Sequence, residues 1–261
     1  MLNTSNGLWL CVNPYLNRFD QHLCAQLGQN ANVWNWMYQQ TSDEPCCIET
    51  ALALLHDYLE QQTQPLHLIG HGLSGTLGLL YARKYPHHLK SLTLLSVGAT
   101  PSINWQAHYY ALRKLLPCDR EIVLVQMVRT LFGPQQMSHA KCFAKLLERV
   151  LDTELTPHSL ATYAGLAKGG ITVSLLVCRG EYDTIIDPNA YQKWQQWLKP
   201  GDRLWTCPQG RHFFHHNEPQ RCSQVILDFW QQIGTLKAEQ SMKESELFVT
   251  PLGKSSSSLT R

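Results

Sequence analysis

The stretch from Pro65 to Pro86 constrains the fold more than any other part of the chain. Leu66–Ile69 is a mainly apolar run too short for a helix, Gly70 to Gly75 places three glycines in six positions, and Thr76–Tyr85 has helical spacing until Pro86 stops it. Buried strand, tight turn and helix make a βα unit. Successive units of this kind build a parallel sheet with helices packed on its faces.

The same rhythm recurs along the chain. Strands are predicted at Leu8–Val12, Val33–Tyr38 and Leu92–Val97, with helices at Asp20–Leu27 and Ile48–Gln61. From Pro101 to about Gly170 the strand signal vanishes, and helical patterns at Glu121–Leu131 and His139–Leu151 predict an inserted helical lobe. The rhythm resumes with a strand at Ile171–Cys178, a helix at Asn189–Leu198, a strand at Arg203–Cys207 and an amphipathic helix at Gln220–Ile233. The expected fold is α/β, a mostly parallel sheet of about six strands flanked by helices. Residues 1–99 and 171–234 form the core, 100–170 the helical insertion, and 235–261, with its run of four serines, a disordered polar tail.

Composition narrows the function. With 44% hydrophobic and 16% charged residues over 261 positions the chain is globular, and no apolar run approaches the roughly 18 residues of a membrane helix. Lys+Arg 22 against Asp+Glu 20, with no basic run, argues against a nucleic-acid partner. Met1–Gly7 has no positive n-region and the apolar stretch after it is too short for a signal peptide, so the chain is read as soluble and cytoplasmic. Nine scattered cysteines without CxxC spacing read as reduced core thiols. His212, His215 and His216 lack the neighbouring Cys, Asp or Glu ligands that zinc needs, so neither metal nor cofactor is expected.

Gly70-His71-Gly72-Leu73-Ser74-Gly75 spells the GxGxxG of dinucleotide sites, but that mechanism needs an acid about 20 residues on to hold the ribose. No Asp or Glu occurs between Glu60 and Asp119, and the unit is the third, not the first. The alternative is a nucleophile elbow, a sharp strand-to-helix turn that presents one side chain above the sheet. Leu68-Ile69-Gly70-His71-Gly72-Leu73-Ser74-Gly75 resembles the LxGHSxGG segment of the α/β-hydrolases. Arg179-Gly180-Glu181-Tyr182-Asp183 is similar to their G-x-x-D turn carrying the acid, and Gln209-Gly210-Arg211-His212 to their G-x-H turn carrying the histidine. The resemblance spans roughly residues 8–233. It implies the α/β-hydrolase fold without its N-terminal edge hairpin, with residues 100–170 as the cap. An edge strand left uncovered gives a dimer or partner contact a physical motive.

The resemblance puts Gly72 at the nucleophile position, and glycine has no atom that attacks a carbonyl. Ser74 is the candidate for a displaced nucleophile, but that register puts Thr76 where a small residue is needed; in the preferred register Ser74 is expected to cap the helix. The resemblance places oxyanion donors at Tyr15 and Leu73, but Asn13-Pro14 stands where the family has His-Gly, and Pro14 has no N–H. Asp183 and His212 survive as an acid–histidine dyad. It is able to activate water, or is retained as a buried hydrogen bond. Asp187 before Pro188 reads as a helix cap, and His71 as structural. Trp105, His108, Tyr109, Tyr110 and Met127 line an apolar pocket or fill the lobe's own core. Two functions follow. One is a catalytically degenerate α/β-hydrolase-fold protein binding a small apolar ligand or a protein partner; the other is a hydrolase or lyase acting on an ester-type substrate through Asp183–His212, with or without Ser74.

Overall fold

Six strands, all parallel, lie in the order β2-β1-β3-β4-β5-β6, where β1 is Asn6–Cys11, β2 Asn32–Met37, β3 Leu66–His71, β4 Leu89–Leu95, β5 Ser174–Gly180 and β6 Arg203–Cys207. The computed structural model describes residues 5–39, 43, 47–99, 104–153, 169–186 and 188–247, the side chains at 190 and 237–247 excepted. The central strands β1, β3, β4 and β5 are buried on both faces, as parallel strands covered by helices must be. Edge strand β2 differs, and leaves Trp34 46% exposed.

Helices α1 (Gln21–Gly28), α2 (Ile48–Glu60) and α3 (Gly72–Lys84) alternate with the first four strands. On one face Leu55, Leu77 and Tyr81 pack on Leu8, Leu68 and Leu92. On the other, Leu23, Phe229 and Trp230 cover Trp9, Ile69 and Leu176. Burying a residue of this size stabilises the fold by about 1.5–3 kcal/mol.

Between β4 and β5 stand α4 (Trp105–Leu115), α5 (Arg120–Phe132) and α6 (Met137–Thr153). Val123, Met127, Leu131 and Leu147 are fully buried among them, and Leu16, Phe19 and Phe213 of the sheet-bearing part join the same cluster. The insertion is also hydrogen-bonded to the loops beneath it. His108 Nε2 meets the carbonyl of Ile185 at 3.1 Å, Phe213 N–H donates to Leu131 O at 3.0 Å, and Asn217 Nδ2 donates to Phe132 O at 3.1 Å.

Several boundaries differ from the sequence reading. A 3-10 segment, Pro14–Phe19, precedes α1, and the helix expected over 189–198 divides into α7 (Pro188–Gln192) and a 3-10 turn at Lys193–Gln196. A short helix α8 (Phe214–Asn217) precedes the last helix α9 (Pro219–Leu247), which continues past Gly234 instead of giving way to a disordered tail at 235. A helix-interior glycine costs only about 1 kcal/mol against alanine, and helix formers such as Leu236, Lys237 and Ala238 follow it. Residues 248–261, Cys46 and Asp187 lie outside the described residues. The described cysteines are free thiols. No helix among the described residues is long and apolar enough to cross a membrane.

Candidate functional site

The turn from β3 into α3 is built by its glycines. A Cβ on Gly70 would meet Gly75 N at 2.6 Å, so strand and helix approach too closely for side chains there. Gly72 has φ +51°, left-handed backbone that glycine adopts at little cost, and a Cβ on it would meet nothing within 4 Å. The turn therefore opens onto free space at the C-terminal end of the sheet, where ligands bind in open α/β folds.

The loops after β5 and β6 bring Asp183 and His212 together beside it. His212 Nδ1–H donates to Asp183 Oδ2 at 3.0 Å and Oδ1 at 3.2 Å, and both residues are almost wholly buried. Asp183 Oδ1 also accepts from the N–H groups of Ile185 at 2.9 Å and Ile186 at 3.3 Å. Burial alone would raise the Asp183 carboxyl, but His212, Ser96 and the Ile185 N–H together hold it below its ordinary value. A carboxylate only accepts, so Nδ1 carries the imidazole proton and Nε2 presents a lone pair when the ring is neutral.

The histidine loop is held by two residues from neighbouring strand ends. Ser96 Oγ donates to the His212 carbonyl at 2.8 Å, and His71 Nε2–H donates to the same oxygen at 3.1 Å. Ser96 does this from φ 52°, an uncommon conformation for a residue with a side chain. Burial, with His215 and His212 alongside, pushes His71 well below its ordinary value, so its imidazole is neutral. The sequence reading assigned nothing to Ser96, which falls inside the strand expected at Leu92–Val97, whereas the observed strand ends at Leu95.

These groups face a pocket of about 40 Å³ between the sheet and α4, room for roughly three waters by the space each one needs. Leu73 and Ser74 line it, as do Trp105 and Gln106 from the insertion. Ser74 is not the helix cap expected from sequence. The N-cap is His71, and Ser74 Oγ instead accepts the N–H of Val12 at 3.1 Å. Tyr15 is not among the residues lining this pocket; its ring lies under the Arg149 guanidinium at 4.3 Å. Of the aromatic and lobe residues singled out from sequence, Trp105 reaches the pocket, Tyr109 and Met127 are buried in the insertion's cluster, and Tyr110 is 40% exposed.

A second carboxyl–imidazole pair lies next to the first. Asp20, at the start of α1, accepts from Trp9 Nε1–H at 3.0 Å and meets His215 Nε2 at 2.9 Å. Burial pushes the Asp20 carboxyl up to about 8 against the pull of Trp9 and His216, while burial with His216 and His212 pushes His215 down to about 3. Burial thus favours the uncharged form of each partner, and the 2.9 Å contact joins them. His71 bridges the two pairs, its ring 4.7 Å from that of His215 and 4.8 Å from that of His212. Among the described residues no group of three His, Cys, Asp or Glu side chains converges as metal ligands.

Sheet order, flanking helices, insertion and the positions of these loops define an α/β-hydrolase fold. Solved structures agree at the level of fold. A putative lipase from Acinetobacter baumannii matches with a TM-score of 0.67 at 18% identity, covering 90% of this chain and 86% of that one. A thermophilic esterase gives 0.69 at 15% over 87% and 90%, and potato epoxide hydrolase 0.61 at 15% over 88% and 93%. No family model matches the chain. In sequence it is 42% identical over 234 residues to the uncharacterized protein sll0249 of Synechocystis sp., covering 90% of this chain and 93% of that one. The uncharacterized protein alr2406 of Nostoc sp. is 38% identical over 240 residues, 92% and 94% of the two chains. The chain belongs to the family of these two proteins.

Proposed function

We propose that this protein binds a small molecule in the pocket between the sheet and α4 and forms no acyl-enzyme. In this reading Gly72 occupies the position of the fold's nucleophile, residues 100–170 act as the cap, and the Asp183–His212 pair is kept for the integrity of the pocket. The observation that carries it is Gly72 itself, at φ +51° with open space where a side chain would point. Acyl transfer needs a nucleophile there. Ser74 has its oxygen engaged by Val12 N–H and, among the described residues, makes no hydrogen bond to His212. The pocket's mixed lining, with Ser74 and His212 beside Leu16 and Phe213, favours a ligand with a polar group over the purely apolar one expected from sequence.

A second reading rests on the intact dyad. With Nδ1 held by Asp183, His212 Nε2 is oriented to take a proton from a water in the space above Gly72, and general-base help of this kind is worth roughly 10²–10⁴-fold. Hydrolysis of p-nitrophenyl esters by wild type and His212→Ala separates the two. The binding reading expects equal, background rates; a rate that depends on His212 favours the water-activating hydrolase.

A further inference from the structure

Gln106 projects from α4 into the same pocket as Gly72 and His212, and it is 2% exposed. Its side-chain nitrogen is buried and has no hydrogen-bond partner among the described residues. A buried amide N–H without an acceptor is costly, so an occupant that supplies one gains from meeting it. We infer that Gln106 is the ligand-recognition residue of this pocket and that the ligand is a small neutral carbonyl compound whose oxygen accepts from its amide.

The charges around the pocket select neutrality. Among the described residues no Lys or Arg lines it, so no Lys or Arg side chain is there to neutralise a full anionic charge. Burial favours the uncharged form of Asp20, the Asp183 carboxylate behind His212 disfavours a second carboxylate close by, and with a neutral ring His212 Nε2 accepts from a ligand O–H or N–H. The small volume admits a head group of a few heavy atoms, and Leu16, Trp105, Ile186 and Phe213 give its substituents apolar contacts.

This rests on the ligand-binding reading, and the test separates the two. In the ¹⁵N-labelled full-length protein the Gln106 side-chain amide and the Leu73 backbone amide are followed while methyl acetate, N-methylacetamide, acetate or xenon is added. The expected result is that both neutral carbonyl compounds shift both signals, that acetate shifts neither, and that Gln106→Met and Gln106→Leu weaken the binding reported by Leu73 about three- to tenfold. Unchanged affinity in the variants, preferential binding of acetate, or shifts with xenon but not with the carbonyl compounds overturns the inference and leaves the binding pocket standing. Silence from xenon and from both carbonyl compounds overturns the ligand-binding reading as well.

Discussion

Ser74 Oγ accepts the backbone N–H of Val12 at 3.1 Å, so the hydroxyl two residues beyond Gly72 ties the start of α3 to the end of β1. Removing it leaves a buried N–H without a partner. Ser74→Ala is expected to lose about 1–3 kcal/mol in urea denaturation while leaving the Asp183–His212 pair in place. A change below about 0.5 kcal/mol would show that the bond contributes nothing to the fold.

The Asp20–His215 pair makes a prediction about pH. Unfolded, Asp20 titrates near 3.8 and His215 near 6.5; folded, they titrate near 8 and 3. Between about 3.8 and 6.5 both states hold one proton on the pair, so its contribution to stability is flat. Between about 6.5 and 8 the folded state holds one proton more, and stability falls as pH rises, by at most about 2 kcal/mol. Below 3.8 the unfolded state holds the extra proton, and stability falls as pH falls. Asp20→Asn is expected to remove the alkaline slope; urea midpoints from pH 6 to 9 measure it.

Asp183 behaves in the opposite sense. Its folded value lies below the unfolded 3.8, so its contribution is complete above 3.8 and is lost as pH falls through the folded value. Asp183→Ala strands the His212 Nδ1–H and two isoleucine N–H groups in a buried place, and a loss of about 2–5 kcal/mol at pH 7 is expected. The difference from wild type narrows in acid, which unfolding curves at pH 7 and pH 3 compare.

At Ser96 the hydroxyl and the backbone make separable contributions. Ser96→Ala loses the bond to the His212 carbonyl and keeps a side chain at φ 52°, whereas Ser96→Gly loses the bond but relieves the backbone. The alanine variant is expected to be the less stable by about 1 kcal/mol in thermal unfolding.

The sheet and its order of elements were legible because buried parallel strands write themselves as short apolar runs, and Gly and Pro mark their ends. The pairing of Asp183 with His212 was legible through motifs at the ends of β5 and β6. What escaped was set by contacts distant in sequence. Asp20 looked like the start of a helix, and only the approach of His215, 195 residues away, makes it one half of a buried pair. Ser74 fitted a capping pattern, yet its partner, Val12, lies 62 residues back, directly after β1. Gln106 carries no motif at all; packing of α4 over the sheet gives it a place in the pocket. Helix α9 passed its expected end because one glycine between helix formers does not stop a helix.

In the proposed reading the turn at Gly72 is a nucleophile elbow that lacks its nucleophile. Labelling with a fluorophosphonate, followed by peptide mapping, on wild type, His212→Ala and Gly72→Ser tests it most directly. A side chain at Gly72 meets no atom within 4 Å, so the variant is expected to fold with a strain of about 1–2 kcal/mol. The account predicts no label on wild type and a label on the introduced hydroxyl of Gly72→Ser. A wild-type label on Ser74 that disappears in His212→Ala would contradict it and make this protein a serine hydrolase with a displaced nucleophile.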